Sequence, residues 1–196
     1  MRVAVIGGTG PFGSALAARL HAAGDSILIG SRDPDRAAAT AAELGVEGGR
    51  NEEIVRGVDL AVLAVKATAA LETVSALKLE SPLLSVASEL RFPAEDVRSL
   101  AERVAELVEV PVAAGLHSLA ARKLAGELPD EDSFVCGDDA DAKQLALELA
   151  GKLVAGRAVD AGPLRSARAL EAMTTVLIAV NKRYKAHVGL RVTGLA

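Results

Sequence analysis

One stretch near the start of the chain limits its fold more than any other. Residues 2–6, RVAVI, form an apolar run that breaks into Gly7-Gly8-Thr9-Gly10-Pro11-Phe12-Gly13. The chain continues as SALAARLHAAG, and a second apolar run over residues 26–29 ends in Gly30-Ser31-Arg32. The pattern is strand, glycine loop, helix, strand. In that context the Gly8, Gly10, Gly13 spacing is a dinucleotide-binding signal and more than a tight turn. The glycines are expected to do different things. Gly8 opens the turn out of the strand, Gly10 leaves room for a pyrophosphate, and Gly13 lets the helix pack close to the sheet. The phosphates would sit beside Thr9, Pro11 and Phe12, where free N–H groups and the helix dipole favour an anion.

The end of the second strand bears on which dinucleotide binds. A site for NAD usually carries Asp or Glu there to bond the ribose hydroxyls. Here that place holds Ser31 and Arg32, whose hydroxyl and guanidinium suit a 2′-phosphate. Asp33 follows, but ahead of Pro34 it is better placed to cap the next helix. Arg36, one turn further on, adds a second cation. The expectation is NADP; the alternative is that Arg32 and Arg36 are solvated surface charges.

The rest of the first half alternates in the same way. Residues 34–44 are alanine-rich and fit a surface helix, 45–49 a turn, and 51–56 a short helix. Residues 59–65 are apolar at successive positions, as a strand covered on both faces should be. A helix over 67–77, a strand over 83–87, a helix over 94–108 with apolar Val97, Leu100, Val104 and Leu107 at helical spacing, and a strand over 110–114 complete the series. Strands and helices at this spacing imply right-handed crossovers and a parallel sheet. The expected architecture is α/β: a Rossmann-type doubly wound parallel sheet over residues 1–115, with a smaller C-terminal α/β domain over 116–196. In that second part, 119–128 reads as helix and 133–137 as strand. Asp139 caps a helix over 140–152, a strand ends at Val159-Asp160, and Gly162-Pro163 turns the chain into a long helix over 164–185.

Bulk properties exclude several classes. A net charge of −4 argues against a nucleic-acid partner, which calls for a basic face. No apolar run reaches the length of a membrane span, so no membrane partner is expected. The single cysteine, Cys136, permits no internal disulfide, and the chain starts directly in a strand without a leader, so a cytoplasmic protein is expected. The aromatic residues are Phe12, Phe92, Phe134 and Tyr184, so a flat ring must lie mostly on aliphatic side chains and backbone.

Few side chains suggest chemistry. His117, after a strand at the junction of the two parts, is a candidate to touch a nicotinamide amide or a substrate oxygen; the alternative is a histidine bonded to backbone. His21 and His187 share no ligand spacing with it or with Cys136, so no metal is expected. Cys136 reads as a small buried apolar residue. The last helix carries Leu170, Met173, Leu177, Val180 and Tyr184 at helical spacing, widened by Val176, Ile178 and Ala179. So broad a stripe needs cover on both sides, which a homodimer partner would supply. Lys182, Arg183 and Lys185 suit the negative end of its dipole.

Several separated stretches carry a family resemblance: VIGGTG (5–10), GSRD (30–33), SPL (81–83), Leu116-His117, CGDD (136–139), DAGPL (160–164) and GLRVTGL (189–195). They run in family order over nearly the whole chain, and with them the sequence resembles the NADPH-dependent reductases of the deazaflavin coenzyme F420. The resemblance implies hydride transfer between NADP(H) and coenzyme F420, face to face in a cleft, with no catalytic side chain required. It places Thr9, Gly10, Pro11 and Phe12 at the pyrophosphate, and Ser31, Arg32 and Arg36 at the 2′-phosphate. It places Ala67, Leu71 and Val86 along the nicotinamide half, and Val188 near the deazaflavin. The acceptor is expected against residues 116–118, Gly162 and 188–195. Lys66-Ala67 stands where such proteins usually carry Pro and a large aromatic. Two alternatives follow: an NADPH-dependent reductase of a flavin, imine or ferric chelate, and a non-catalytic NADP-binding module.

Overall fold

The computed structural model describes residues 1–90 and 97–195. In chain order the elements begin β1 (Arg2–Ile6), α1 (Pro11–Ala22), β2 (Ser26–Ser31), α2 (Pro34–Leu44), β3 (Glu47–Arg50) and α3 (Asn51–Ile54). Next come β4 (Leu60–Leu63), α4 (Ala67–Ser75), β5 (Leu83–Ser85), α5 (Leu100–Ala105) and β6 (Val112–Gly115). The chain ends with β7 (Ser133–Gly137), α6 (Ala140–Gly151), β8 (Ala158–Asp160) and α7 (Ala167–Tyr184).

All described strands join one eight-stranded sheet in the order β3-β2-β1-β4-β5-β6-β7-β8. The first six are parallel, and their order reverses between β1 and β4, the switch point at which doubly wound sheets bind ligands. β7 runs antiparallel to β6, and β8 runs parallel to β7. The reversal has a geometric consequence. The amino ends of β7 and β8 share a rim with the carboxyl ends of β1–β6.

Alternate side chains of the strands feed two cores. Val3 and Val5 join Leu16 and Leu20 of α1 and Leu149 of α6 on one face. Ala4 and Ile6 join Ile54, Val74, Leu100, Val104 and Leu170, from α3, α4, α5 and α7, on the other. Residues 116–195 therefore add strands to the first sheet and helices to both of its faces.

Local chemistry fixes the helix ends. The Asp33 carboxylate accepts from the amides of Asp35 (3.1 Å) and Arg36 (3.2 Å), capping α2 as expected. Asp139 caps α6 through the Ala142 amide at 2.8 Å. Ser99 and Glu102 form a reciprocal capping box on α5. This cap explains why α5 starts at Leu100 and leaves Val97, expected within the helix, ahead of it and 85% exposed. The expected start of that helix at residue 94 lies outside the described residues.

Three other expectations change. Residues 47–50 are an edge strand and not a turn. A Cβ on Gly48 would stand 2.7 Å from the Ala37 carbonyl, so glycine lets β3 slide beneath α2. Residues 119–128 form one 3-10 turn, Ala121–Lys123, and not a helix. Arg19 of α1 holds that loop by donating to the carbonyls of Leu124 (3.0 Å) and Gly126. The last helix is two pieces, a 3-10 turn at Leu164–Ser166 and then α7.

Candidate functional site

The glycine loop leaves β1 at the switch point. Its left-handed residue is Gly7 (φ 77°), one position before the glycine expected to open the turn. Gly8 is small for another reason: a Cβ there would meet the Val5 carbonyl at 2.9 Å and the Ile29 side chain at 3.0 Å. A Cβ on Gly13 would stand 2.8 Å from both the Gly7 carbonyl oxygen and the Gly8 Cα. Gly10 differs, because its Cβ would meet only the Gly7 carbonyl, at 3.4 Å. Nothing within the described chain demands a glycine at position 10. α1 begins with Gly10 as its N-cap, no side-chain cap, and Pro11 in the first turn. Its first amides are therefore left to a ligand or water.

Ser31 and Arg32 stand where β2 ends. The Ser31 hydroxyl accepts from the Asp33 amide at 3.2 Å. With its carboxylate spent on the α2 cap, Asp33 is not directed at a ribose. Arg36 donates to the Thr9 carbonyl at 3.3 Å, which ties α2 to the glycine loop. Neither Arg32 nor Arg36 forms an ion pair with a carboxylate among the described residues. Arg32 also lines a small recess with Asn51, Glu52 and Glu72. The sequence does not single out Asn51. It is buried at the start of α3, and its Oδ1 accepts from the Gly7 amide at 3.4 Å. A lone Asn opening a four-residue helix carries no sequence signal for that contact.

The other candidates follow the carboxyl ends of successive strands. Ala67 opens α4 beyond β4, Val86 follows β5, and His117 lies just past β6. Leu71, one turn into α4, packs with Ala67 against the core on one face, while Val86 packs against the core on the other. Leu116 takes a left-handed conformation (φ 64°), a strained one for leucine that costs about 1–2 kcal/mol. His117 is buried, and neither of its ring nitrogens has a hydrogen-bond partner among the described residues. Burial pushes its imidazole down to about 4, against a smaller upward pull from the Ala87 backbone, so the ring is neutral at ordinary pH. The backbone does take part next to it. The Thr174 hydroxyl of α7 donates to the His117 carbonyl at 2.8 Å, leaving the Ser88 hydroxyl, 3.1 Å away, to donate to Thr174.

The tail containing Val188 returns to the same rim. The Val188 amide donates to Asn181 Oδ1 at 2.7 Å, and its carbonyl accepts from Lys123 Nζ at 2.8 Å. Between tail and loop lies an open cavity of about 460 Å³, lined in part by Arg122, Lys123, Glu131, His187 and Gly189.

Gly162 does not join this group, which corrects the expected acceptor contact. It follows β8, and its carbonyl accepts from the Gly137 amide at the end of β7, so it lies toward the opposite rim. CGDD and DAGPL meet each other there. Asp138 accepts from the Leu164 amide at 2.9 Å, and Asp160 pairs with Lys143 at 2.9 Å and accepts from the Gly162 amide at 2.8 Å. Cys136 is fully buried between them, and burial, with Asp138, Glu171 and Asp160 nearby, pushes its thiol up to about 12. These motifs hold the far rim together, and among the described residues no hydrogen bond or ion pair joins them to a candidate cofactor residue.

The family model described as "NADP oxidoreductase coenzyme F420-dependent" matches residues 2–88, the glycine loop and β2 included. The whole chain is 34% identical to the F420-dependent NADP reductase of Methanothermobacter marburgensis, covering 99% of it, and 32% identical to that of Methanothermobacter thermautotrophicus, covering 96%. The chain belongs to the F420-dependent NADP reductase family. It is shorter than these two relatives. Its match to the M. marburgensis reductase runs over 224 aligned positions against 196 residues, so that relative carries segments this chain lacks. A crystal structure from Arthrobacter sp. FB24, 23% identical, superposes with a TM-score of 0.85 over 98% of this chain and 99% of the other, which shows the fold.

Proposed function

We propose that this protein is an NADPH-dependent F420 reductase, transferring hydride between NADP(H) and coenzyme F420. The observation that carries the reading is the full-length identity to two F420-dependent NADP reductases. The residues present also fit the nucleotide. Gly10 is small without an internal reason, the first amides of α1 have no side-chain cap, and the Ser31 hydroxyl and two guanidiniums that pair with no carboxylate among the described residues stand at or just beyond the end of β2. Thr9, Pro11 and Phe12 would bind the pyrophosphate, and Ser31, Arg32 and Arg36 the 2′-phosphate. Ala67, Leu71 and Val86 would line the nicotinamide half. The neutral His117 ring would offer one donor and one lone pair to a polar group there.

When bound, the two cofactors supply hydride donor and acceptor between them. The chain's share is binding, orientation and exclusion of water. Residues 1–115 form the NADP half of the cleft, and 116–196 supply the acceptor side through Val188. A homodimer is part of this reading. On α7, Leu170 and Leu177 are buried, but Val176, Ile178 and Tyr184 are 59%, 49% and 68% exposed. No described helix is long and apolar enough to cross a membrane. The lone free thiol and the net charge of −4 fit a cytoplasmic enzyme of small molecules with no nucleic-acid partner.

The test is anaerobic NADPH oxidation, followed at the near-UV band, with F420, a free flavin, a cyclic imine and a ferric chelate as acceptors. Turnover with F420 is expected to exceed the others. Turnover with another acceptor and none with F420 would overturn the reading, as would NADPH binding without turnover.

A further inference from the structure

We infer that Asp132 and Arg157, with Lys123, are positioning residues that fix the C-terminal segment 188–195 along the acceptor side of the cleft. The inference rests on the F420 reading above. Because β7 and β8 run against the first six strands, Asp132, just ahead of β7, and Arg157, just ahead of β8, stand at the rim that holds the glycine loop. The Asp132 side chain is fully buried. Its Oδ1 accepts from the Arg157 amide at 2.8 Å. Its Oδ2 accepts from Arg157 Nη2 at 3.0 Å and from the Val192 amide at 2.8 Å. The Asp132 amide in turn donates to the Leu190 carbonyl at 2.7 Å.

Arg157 completes the clasp. Its Nη1 donates to the Leu195 carbonyl at 3.1 Å, and its Nη2 also reaches the Val192 carbonyl. A few residues upstream in the tail, Lys123 Nζ bridges Glu131 Oε2 (2.7 Å) and the Val188 carbonyl (2.8 Å). The tail's sequence suits this path. A Cβ on Gly189 would overlap Glu131 Oε2, so only glycine lets the backbone lie against that buried carboxylate. Arg191 adds an exposed pair with Asp130 at 2.5 Å. Backbone groups of Val188, Leu190, Val192 and Leu195 are thus held at defined places. If the tail left, the Asp132 carboxylate would keep only Arg157 and lose a charge-assisted bond that it accepts while buried. The clasp sets where Val188 lies without itself touching the nicotinamide half.

The experiment uses the full chain with Asp132→Asn and, separately, Arg157→Lys. It reads tail hydrogen exchange, KM for F420 and Kd for NADPH. Asp132→Asn should speed exchange over 188–195 and raise KM for F420 by about tenfold, with Kd for NADPH within about twofold of wild type. Arg157→Lys keeps a charge beside Asp132 but loses the fork to the Val192 and Leu195 carbonyls, so it should give the same split, smaller. If Asp132→Asn does not fold, Arg157→Lys decides alone. A freely exchanging tail with unchanged KM for F420 overturns the inference. Equal weakening of both cofactors also overturns it, because that is the mark of a merely structural role. If the wild type reduces a different acceptor, the F420 reading falls, and the same split measured with that acceptor decides the clasp.

Discussion

The backbone amide of Leu100 donates to the carboxylate of Glu171 at 3.1 Å, joining the first turn of α5 to α7. The next amide, of Ala101, donates to the other carboxylate oxygen, also at 3.1 Å. Burial raises the Glu171 carboxyl above its usual range, and the two amides only partly pull it back. A raised folded value means that the native state holds the proton longer than the unfolded chain. The stability contribution is therefore fully present below the unfolded value and falls as pH rises through the folded one. Glu171→Gln removes this dependence. In urea melts the wild type's advantage over the variant should be largest near about pH 4 and shrink toward about pH 7. An advantage that grows with pH would show that the carboxylate is stabilised by its surroundings.

Gly10 and Gly13 should separate binding from folding. Gly13→Ala places a methyl 2.8 Å from backbone atoms of Gly7 and Gly8 and should destabilise the fold by about 1–3 kcal/mol. Gly10→Ala meets one atom at 3.4 Å and should melt like wild type, yet bind NADPH about tenfold to a hundredfold more weakly. Unchanged NADPH affinity in Gly10→Ala by calorimetry would remove the pyrophosphate from this loop.

Arg32→Ala tests the cofactor preference. A charge-assisted bond to the phosphate contributes about 1.5–3 kcal/mol, so NADPH affinity should fall about tenfold to a hundredfold while NADH binding stays nearly unchanged. Equal losses for the two cofactors would mean that Arg32 does not meet the 2′-phosphate.

The proposed dimer predicts twice the chain mass by light scattering at micromolar concentration. Leu177 is the wrong position for a splitting variant, because it is 7% exposed and a charge there would disrupt the core. Ile178→Glu changes an exposed position and should give a folded monomer. A monomeric wild type would end the proposal.

The doubly wound half was readable because its signals are local. The β1–glycine loop–α1 unit and the Asp33 cap each lie within a few residues, and so does the cap by Asp139. What escaped depended on distant partners. The strand at Glu47–Arg50 contains two glycines and shows its pairing only beside β2. Residues 119–128 carry apolar spacing but are held as a loop by Arg19, about a hundred residues away in sequence. Reversal of β7 against β6 has no signature in either strand, and it decides that Asp132 faces the site rim while Gly162 does not. The candidate cofactor residues after β1 and β2 came from local motifs, whereas Ala67, Leu71 and Val86 came from the family resemblance and from no local signal. Asn51, Thr174 and Ser88 had no comparable cue.

Cys136 gives the molecule a built-in clock. It pairs across from Ala114, at the seam between the parallel and reversed strands, and it is the only thiol in the chain. The thiolate attacks a thiol-labelling reagent, and the native environment suppresses it by burial and by holding the thiol up to about 12. Labelling therefore counts only those molecules in which the seam has opened, and its rate in native buffer times that opening at one residue, with no introduced probe.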